Sequence, residues 1–265
     1  MKFGKRLKHQ IQETLPEWQD KFLSYKNLKK LVRLISKAPT LSLSNGGMES
    51  ESRKAEEEFI YLLDIEIDKF NAFFVEQEEE FIIRHSELQQ RIQRVIATFG
   101  PNGSQPLTKV YDEEMRRIRN DIVNFHGEMV LLESYSNINY TGLAKILKKY
   151  DKRTGALLRL PFIQKVLQQP FFTTDLLSQL VKECENTIDA VFPNVKAVKG
   201  DDRAERDTTN LVAQSIFRST VAALATMQEM RRGSSTYSQF SLPPLNLPES
   251  NPIQSLQLNS AIPIP

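Results

Sequence analysis

A chain of 265 residues with one cysteine and 26% charged side chains is long enough for one or two packed domains, and it excludes an internal disulfide or a cysteine-built zinc site. The formal net charge of +2 hides a sharp segregation: ten basic residues against three acidic ones in positions 1–37, and twelve acidic against three basic in 49–80. Such polarity argues for one local anion-attracting site rather than general adhesion to polyanions.

The N-terminal stretch MKFGKRLKHQIQETLPEW lacks the apolar core of a secretory signal. No apolar run approaches the ~20 residues that cross a bilayer. With Cys184 alone, a reducing, intracellular compartment and a soluble chain are the economical expectation. Apolar residues at helical spacing, Phe3, Leu7 and Ile11, then Phe22, Tyr25, Leu28, Leu31, Val32 and Leu34 after Pro16, predict two short helices forming a hairpin. Residues 38–52, APTLSLSNGGMESES, are Ser- and Gly-rich without periodicity and predict a flexible loop.

From about Arg53 to Phe99 there is neither proline nor glycine. Phe59, Leu62, Leu63, Glu66, Phe70, Phe73, Phe74 and Phe81 trace an apolar stripe along an acidic helix. The breakers GPNGSQP at 100–106 predict a turn, after which Val110, Met115, Ile118, Ile122, Phe125, Met129 and Leu132 resume the helical period in a second long helix, antiparallel to the first. Arg153, Thr154 and Gly155 supply a helix stop. Short apolar stretches around 162–167 and 176–191 then close the bundle.

A further helix is expected over Arg203–Arg231, with Val212, Ile216, Ala223 and Met227 on one side and Phe217, Val221 and Leu224 beside them. That apolar width suits an additional partner or self-association, or packing on its own domain. The Ser-, Pro-, Asn- and Gln-rich residues 233–265 cannot bury enough surface to fold and predict a disordered tail. The reading is all-α: an N-terminal helical hairpin on a long antiparallel bundle, with an extra C-terminal helix. Its divisions are a domain over 1–170, an extension over 171–232 and a tail over 233–265.

The chemistry gathers on Lys145, Lys148, Lys149 and Lys152 of KILKKYDK, four ammonium groups at i, i+3, i+4 and i+7 on one helix face. They repel one another unless a polyanion lies over them. Tyr25 and Lys29, at i and i+4 in SYKNLKK, can aim a phenol and an ammonium at one anion. If the hairpin lies across the end of the second long helix, Lys149 completes the set, with Lys2 and Lys5 at the rim. Against this stands the plain alternative that a lysine-rich last turn is a solvated face favoured by the helix dipole, and that Tyr25 is a core residue with its hydroxyl at the edge.

Catalysis finds no support. His9, His85 and His126 are scattered and read as surface residues, and no phosphate loop, HExxH or GxSxG occurs. The acidic residues of 49–80 lie on a continuous helix without the glycine turn of a calcium loop, so a solvated face is expected rather than a metal site. KKYDKR at 148–153 also has the form of a nuclear-import patch and uses the same residues.

MKFGKRL at the start, LPEWQDKFLSYKNLKKL at 15–31 and NYTGLAKILKKYDKRTG at 139–155 resemble, in that order, the three signature blocks of the SPX domain. The resemblance covers roughly residues 1–170 and is to plant stand-alone members of the family. It implies an all-helical domain that binds inositol polyphosphates, inositol hexakisphosphate or an inositol pyrophosphate, as reporters of phosphate status, with no cofactor and no enzymatic activity. By motif position Tyr25, Lys29 and Lys149 resemble the family's phosphate-binding cluster. Lys145, Lys148 and Lys152 resemble the lysine surface around it, and Lys2 a residue reaching the ligand from the first helix. The resemblance further implies that the loaded protein binds MYB coiled-coil transcription factors of the phosphate-starvation response and keeps them from DNA, in the nucleus and cytoplasm.

Two other readings use the same lysines: a nucleic-acid binder and a scaffold on anionic membranes. A nucleic-acid groove wants a basic track with aromatic platforms, whereas here the charge gathers at one end beside an acidic surface. A membrane scaffold wants positive charge along its long helices, and the first of these is acidic. Neither direct nucleic-acid nor membrane binding is expected.

Overall fold

The computed structural model describes residues 3–36, 46–105, 107–191, 216 and 219–223, with residues 46–51 described by their backbone alone. Among the described residues every regular element is helical: α1 (Phe3–Glu13), a 3-10 turn (Pro16–Lys21), α2 (Tyr25–Ile35), α3 (Gly46–Phe99), α4 (Thr108–Thr154), α5 (Arg159–Val166) and α6 (Asp175–Val191).

Helices α3 and α4 form the spine. The pairs Phe59 on Tyr150, Phe73 on Tyr135 and Phe81 on Phe125 step up one helix as they step down the other, which fixes an antiparallel hairpin. Tyr135 sits at its centre, edge-on to Phe22 and Phe73, both at 4.9 Å, with its hydroxyl donating to Lys21 O at 3.1 Å. Such aromatic pairs contribute about 0.5–1.5 kcal/mol each beyond the area they bury.

α3 begins at Gly46, inside the stretch expected as loop, so residues 46–52 correct that reading; residues 38–45 lie outside the described residues. Extending a packed helix costs far less than nucleating one, and serines weaken a helix only slightly. α4 ends where the sequence predicted, at Thr154, with Gly155 left-handed at φ 75°. That residue reverses the chain, as only glycine does without steric cost.

α5 and α6 close the bundle. Lys165 meets Asp64 at 2.8 Å, and Asn71 takes the Phe171 amide at 3.2 Å, holding the α5–α6 connection against α3. Buried Cys184 of α6 points its thiol at Ile122 O. Of the helix expected over 203–231, only Ile216 and Ser219–Ala223 are described; they are helical, and Ile216, Ser219, Thr220 and Ala223 are buried. Thr220 Oγ1 donates to Gly127 O of α4 at 3.4 Å, and a Cβ on Gly127 would lie 2.6 Å from Ile216. This portion packs on its own domain. The rest of that segment, and the tail expected over 233–265, lie outside the described residues.

Candidate polyanion-binding site

The position of α2 decides whether the two lysine-rich segments meet. Leu23 N donates to Asn139 Oδ1 at 2.9 Å, a bond between positions 116 residues apart. At the other end Arg153 Nη1 donates to Ser36 Oγ at 3.2 Å, across 117 residues. α2 therefore runs parallel to the last third of α4 in constant register, and Lys29 stands level with Lys145, one turn below Lys149. Against α3 it runs the other way. Ser24 N donates to Glu66 Oε2 at 3.0 Å, Lys69 Nζ donates to Phe22 O at 2.9 Å, and Ser52 Oγ donates to Ile35 O at 3.5 Å. α2 fills the groove of the α3–α4 hairpin and presents its remaining face to solvent beside α4.

Buried polar groups make that seat. Asn139 is fully buried and also donates to Tyr135 O at 3.0 Å. Glu66 is almost wholly buried, and its carboxylate is balanced by Lys69 at 2.7 Å. A buried amide N–H or carboxylate without a partner costs several times what a surface one does, so these bonds fix the register more firmly than the apolar contacts alone. Glycine 142 lets the chains approach: a Cβ there would lie 2.5 Å from Leu23 Cδ2.

The run KILKKYDK divides by face. Ile146 and Leu147 are buried, and Tyr150 stacks on Phe59 at 5.0 Å with its hydroxyl on Glu56; burial and that carboxylate push the phenol well above its ordinary range. Lys145 and Lys149 are half-buried toward α2, and Lys148 and Lys152 are exposed. Asp151, the one carboxylate in the run, accepts from Leu158 N at 3.0 Å and Arg159 N at 3.3 Å, capping α5. Among the described residues no ion pair joins a carboxylate to Lys29, Lys145, Lys148 or Lys152, whereas Lys149 already interacts within the protein. Like charges a few ångströms apart repel by about 1–4 kcal/mol depending on the local dielectric, and a shared counter-anion reverses that sign.

Tyr25 opens α2. Its ring meets Phe3 edge-on at 5.1 Å, and Gly4 lies so close that a Cβ there would be 3.3 Å from it. Half-burial raises its pKa, which keeps the phenol a donor at neutral pH, and its hydroxyl has no hydrogen bond among the described residues. α1 thus lies over Tyr25, with Lys5 and Lys8 exposed on it. Lys2 lies outside the described residues. The structure brings together Tyr25, Lys29, Lys145, Lys148, Lys149 and Lys152 on two adjoining helices.

Sequence reasoning missed Asn139 and Arg153, which set the register. It included Glu66 in an apolar stripe, which was the available signal that this acid is buried. It also misread His85, which is buried against Phe125 and faces Glu183 of α6 at 3.8 Å, while His126 meets Glu185 at 3.2 Å. Among the described residues no cluster could hold a metal ion, and no helix is long and apolar enough to cross a membrane. What the site offers is cationic donors in fixed array, which is chemistry for binding a multiply charged anion.

Residues 1–45 and 102–166 match the family model of the SPX domain. The chain is 60% identical to SPX domain-containing protein 3 of Arabidopsis thaliana over the full length of both. It is 55% identical to SPX domain-containing protein 3 of Oryza sativa subsp. japonica, over 97% of this chain and 93% of that protein. Among solved structures, the SPX domain of Chaetomium thermophilum glycerophosphodiester phosphodiesterase 1, in complex with inositol hexakisphosphate, is similar with a TM-score of 0.51 at 23% identity. That likeness covers 72% of this chain and 99% of the other, and it is one of fold.

Proposed function

The chain belongs to the SPX domain family, and from that premise we propose that it binds inositol polyphosphates on the face shared by α2 and α4. The observation that carries the proposal is the register of these helices, which sets Lys29 level with Lys145 and leaves four lysines without a carboxylate among the described residues. The inositol hexakisphosphate held by the Chaetomium domain of the same fold supports the choice of anion. Tyr25, Lys29 and Lys149 form the core of the site and Lys145, Lys148 and Lys152 its surround, and motif position adds Lys2, which lies outside the described residues. A single orthophosphate engages too few of these groups. Several charge-assisted hydrogen bonds of roughly 1.5–3 kcal/mol each suit micromolar binding after desolvation and side-chain ordering.

In this reading the protein is a sensor of phosphate status rather than an enzyme. The ligand neutralises the lysine face and completes a surface that MYB coiled-coil transcription factors of the phosphate-starvation response recognise, in nucleus and cytoplasm. Ligand and factor then strengthen each other's binding reciprocally. Calorimetric titration with inositol hexakisphosphate and a pyrophosphate analogue at fixed salt tests the site. Micromolar binding weakened about tenfold or more by Lys149→Ala and by Lys29→Ala is expected; equal binding by wild type and variants, or none, refutes it. The second step is tested by gel filtration with a MYB coiled-coil fragment, where a complex independent of ligand overturns the coupling.

A further inference from the structure

Ser36 is the residue on which α2 ends, and its hydroxyl rests on an arginine of α4. Oγ accepts from Arg153 Nη1 at 3.2 Å and donates to Arg33 O at 3.1 Å, both at the surface. Arg153 is exposed and among the described residues pairs with no carboxylate, so a guanidinium with five donors and a full charge meets one neutral oxygen there. The chain leading to that oxygen is basic: Lys29, Lys30 and Arg33 precede it and Lys37 follows, with Arg33 three residues before the hydroxyl. Arg33 and Leu34 are exposed, Leu34 by 55%. Opening the last turn of α2 therefore has only Ile35 left to uncover, and it presents Arg33, Leu34, Ile35 and Ser36 together to a second protein.

We propose that Ser36 is a phosphorylation site for a kinase that selects arginine three residues before its acceptor, and that the phosphate it receives competes from within the chain with the polyanion on α2 and α4. The kinase transfers the γ-phosphoryl group of ATP: the bond from Ser36 Oγ to phosphorus forms as the bond from that phosphorus to the β-phosphate oxygen breaks. ADP leaves, and the hydroxyl proton passes to the kinase's catalytic carboxylate. The modified residue gains about −1.5 to −2 charge and three acceptor oxygens. Negative charge at the C-terminal end of a helix is unfavourable by itself. Here Arg153 already points at the root of the group and can close on two of its oxygens, which offsets that cost and ties α2 to α4 by charge. Ser36 stands level with Arg153, four residues and about 6 Å along α4 from Lys149. That is within the ~10 Å over which charges act at 0.1 M salt, so the phosphate partly neutralises the lysine face and repels an anion carrying several phosphates. The competition rests on the polyanion reading of that face; the pairing with Arg153 does not.

The test uses the full chain with an arginine-directed kinase and ATP. Arg206, Arg231 and Arg232 stand likewise three residues before Thr209, Ser234 and Ser235, so the chain carries Thr209→Ala, Ser234→Ala and Ser235→Ala. Peptide mapping by mass spectrometry should place one phosphate on Ser36, lost with Ser36→Ala and added about tenfold more slowly with Arg33→Gln. No phosphate on Ser36, or a rate indifferent to Arg33→Gln, overturns the site. The singly phosphorylated chain then gives two separate readings. In urea, phosphorylation should shift the unfolding midpoint further toward stability in the parent chain than in Arg153→Gln, and equal shifts overturn the pairing. In calorimetry at low salt, inositol hexakisphosphate should bind the phosphorylated chain about tenfold or more weakly than the unmodified one, with the difference narrowing as salt is raised. Equal or tighter binding overturns the competition. An unmodified chain that binds no inositol hexakisphosphate overturns the polyanion reading and the competition with it, while the urea comparison still decides the pairing.

Discussion

Replacing Asn139 by alanine tests whether the seat of α2 is set by one long-range hydrogen bond. The Leu23 amide donates to Asn139 Oδ1 at 2.9 Å, and Leu23 is itself buried, so no solvent replaces the lost acceptor. An orphaned buried donor costs about 1–3 kcal/mol. Alanine returns up to about 0.7 kcal/mol through its better helix propensity, leaving a net loss of about 1–2 kcal/mol. Asn137 provides the internal control. It makes the same local bond, to Glu133 O at 3.0 Å, as Asn139 makes to Tyr135 O, but among the described residues it has no hydrogen bond to the N-terminal segment. Asn137→Ala gains the same propensity and gives up only the local bond. In urea, with a slope of about 1–3 kcal/mol per molar, Asn139→Ala should lower the midpoint by roughly 1 M relative to Asn137→Ala. Affinity for inositol hexakisphosphate should fall for Asn139→Ala to the extent that α2 spends time undocked. Stabilities of the two variants within about 0.5 kcal/mol of each other refute the argument.

Asp151→Ala removes the cap of α5 and should cost about 1 kcal/mol in a thermal melt, yet it also deletes the one carboxylate in the lysine run. Calorimetry should show inositol hexakisphosphate binding at least as tightly, most clearly at low salt; weaker binding contradicts the site. Gly142→Ala pits about 1 kcal/mol of helix propensity against about 1–3 kcal/mol of overpacking on Leu23. Net destabilisation, partly relieved by Leu23→Ala in the same chain, is expected in urea. Burial raises the Cys184 thiol from 9.0 to about 12 and lifts the Tyr135 and Tyr150 phenols above their usual 10.0. Raised folded values mean that the folded state holds its protons longer, so the stability these groups contribute is complete below about pH 9 and is lost as pH rises above it. Urea midpoints should be level up to pH 9 and decline at pH 10–11, and a disulfide reagent at pH 8 should reach Cys184 only on unfolding.

Much of the fold could be read from the chain because it is local. The stripe from Phe59 to Phe81, the breakers at 100–106 and the stop at Gly155 each act within a turn or two, and they gave two long antiparallel helices with their connections. The lysine face was equally legible, since four positions on one helix share a face by spacing alone. That α2 lies parallel to α4, level with that face, was not. Its register depends on Asn139, Glu66 and Tyr135, polar residues whose partners are 42 to 116 residues away and whose sequence neighbourhoods look merely helical. His85 misled for a similar reason: its burial comes from Phe125 and α6, not from its own helix.

The groove that holds α2 has a consequence for the order in which the protein is made. Both walls of that groove, residues 52–69 of α3 and 135–153 of α4, leave the ribosome after α2 itself. At about 5–20 residues per second, the 116 residues between Leu23 and Asn139 take about 6–23 s to synthesise. Throughout that interval Leu28, Leu31, Val32 and Ile35 have no groove to enter, and the basic N-terminal segment is exposed beside the growing chain. The face shared by α2 and α4 thus assembles only once α4 has been made, and a chain arrested before α4 is complete carries Tyr25 and Lys29 without the lysine-rich helix beside them.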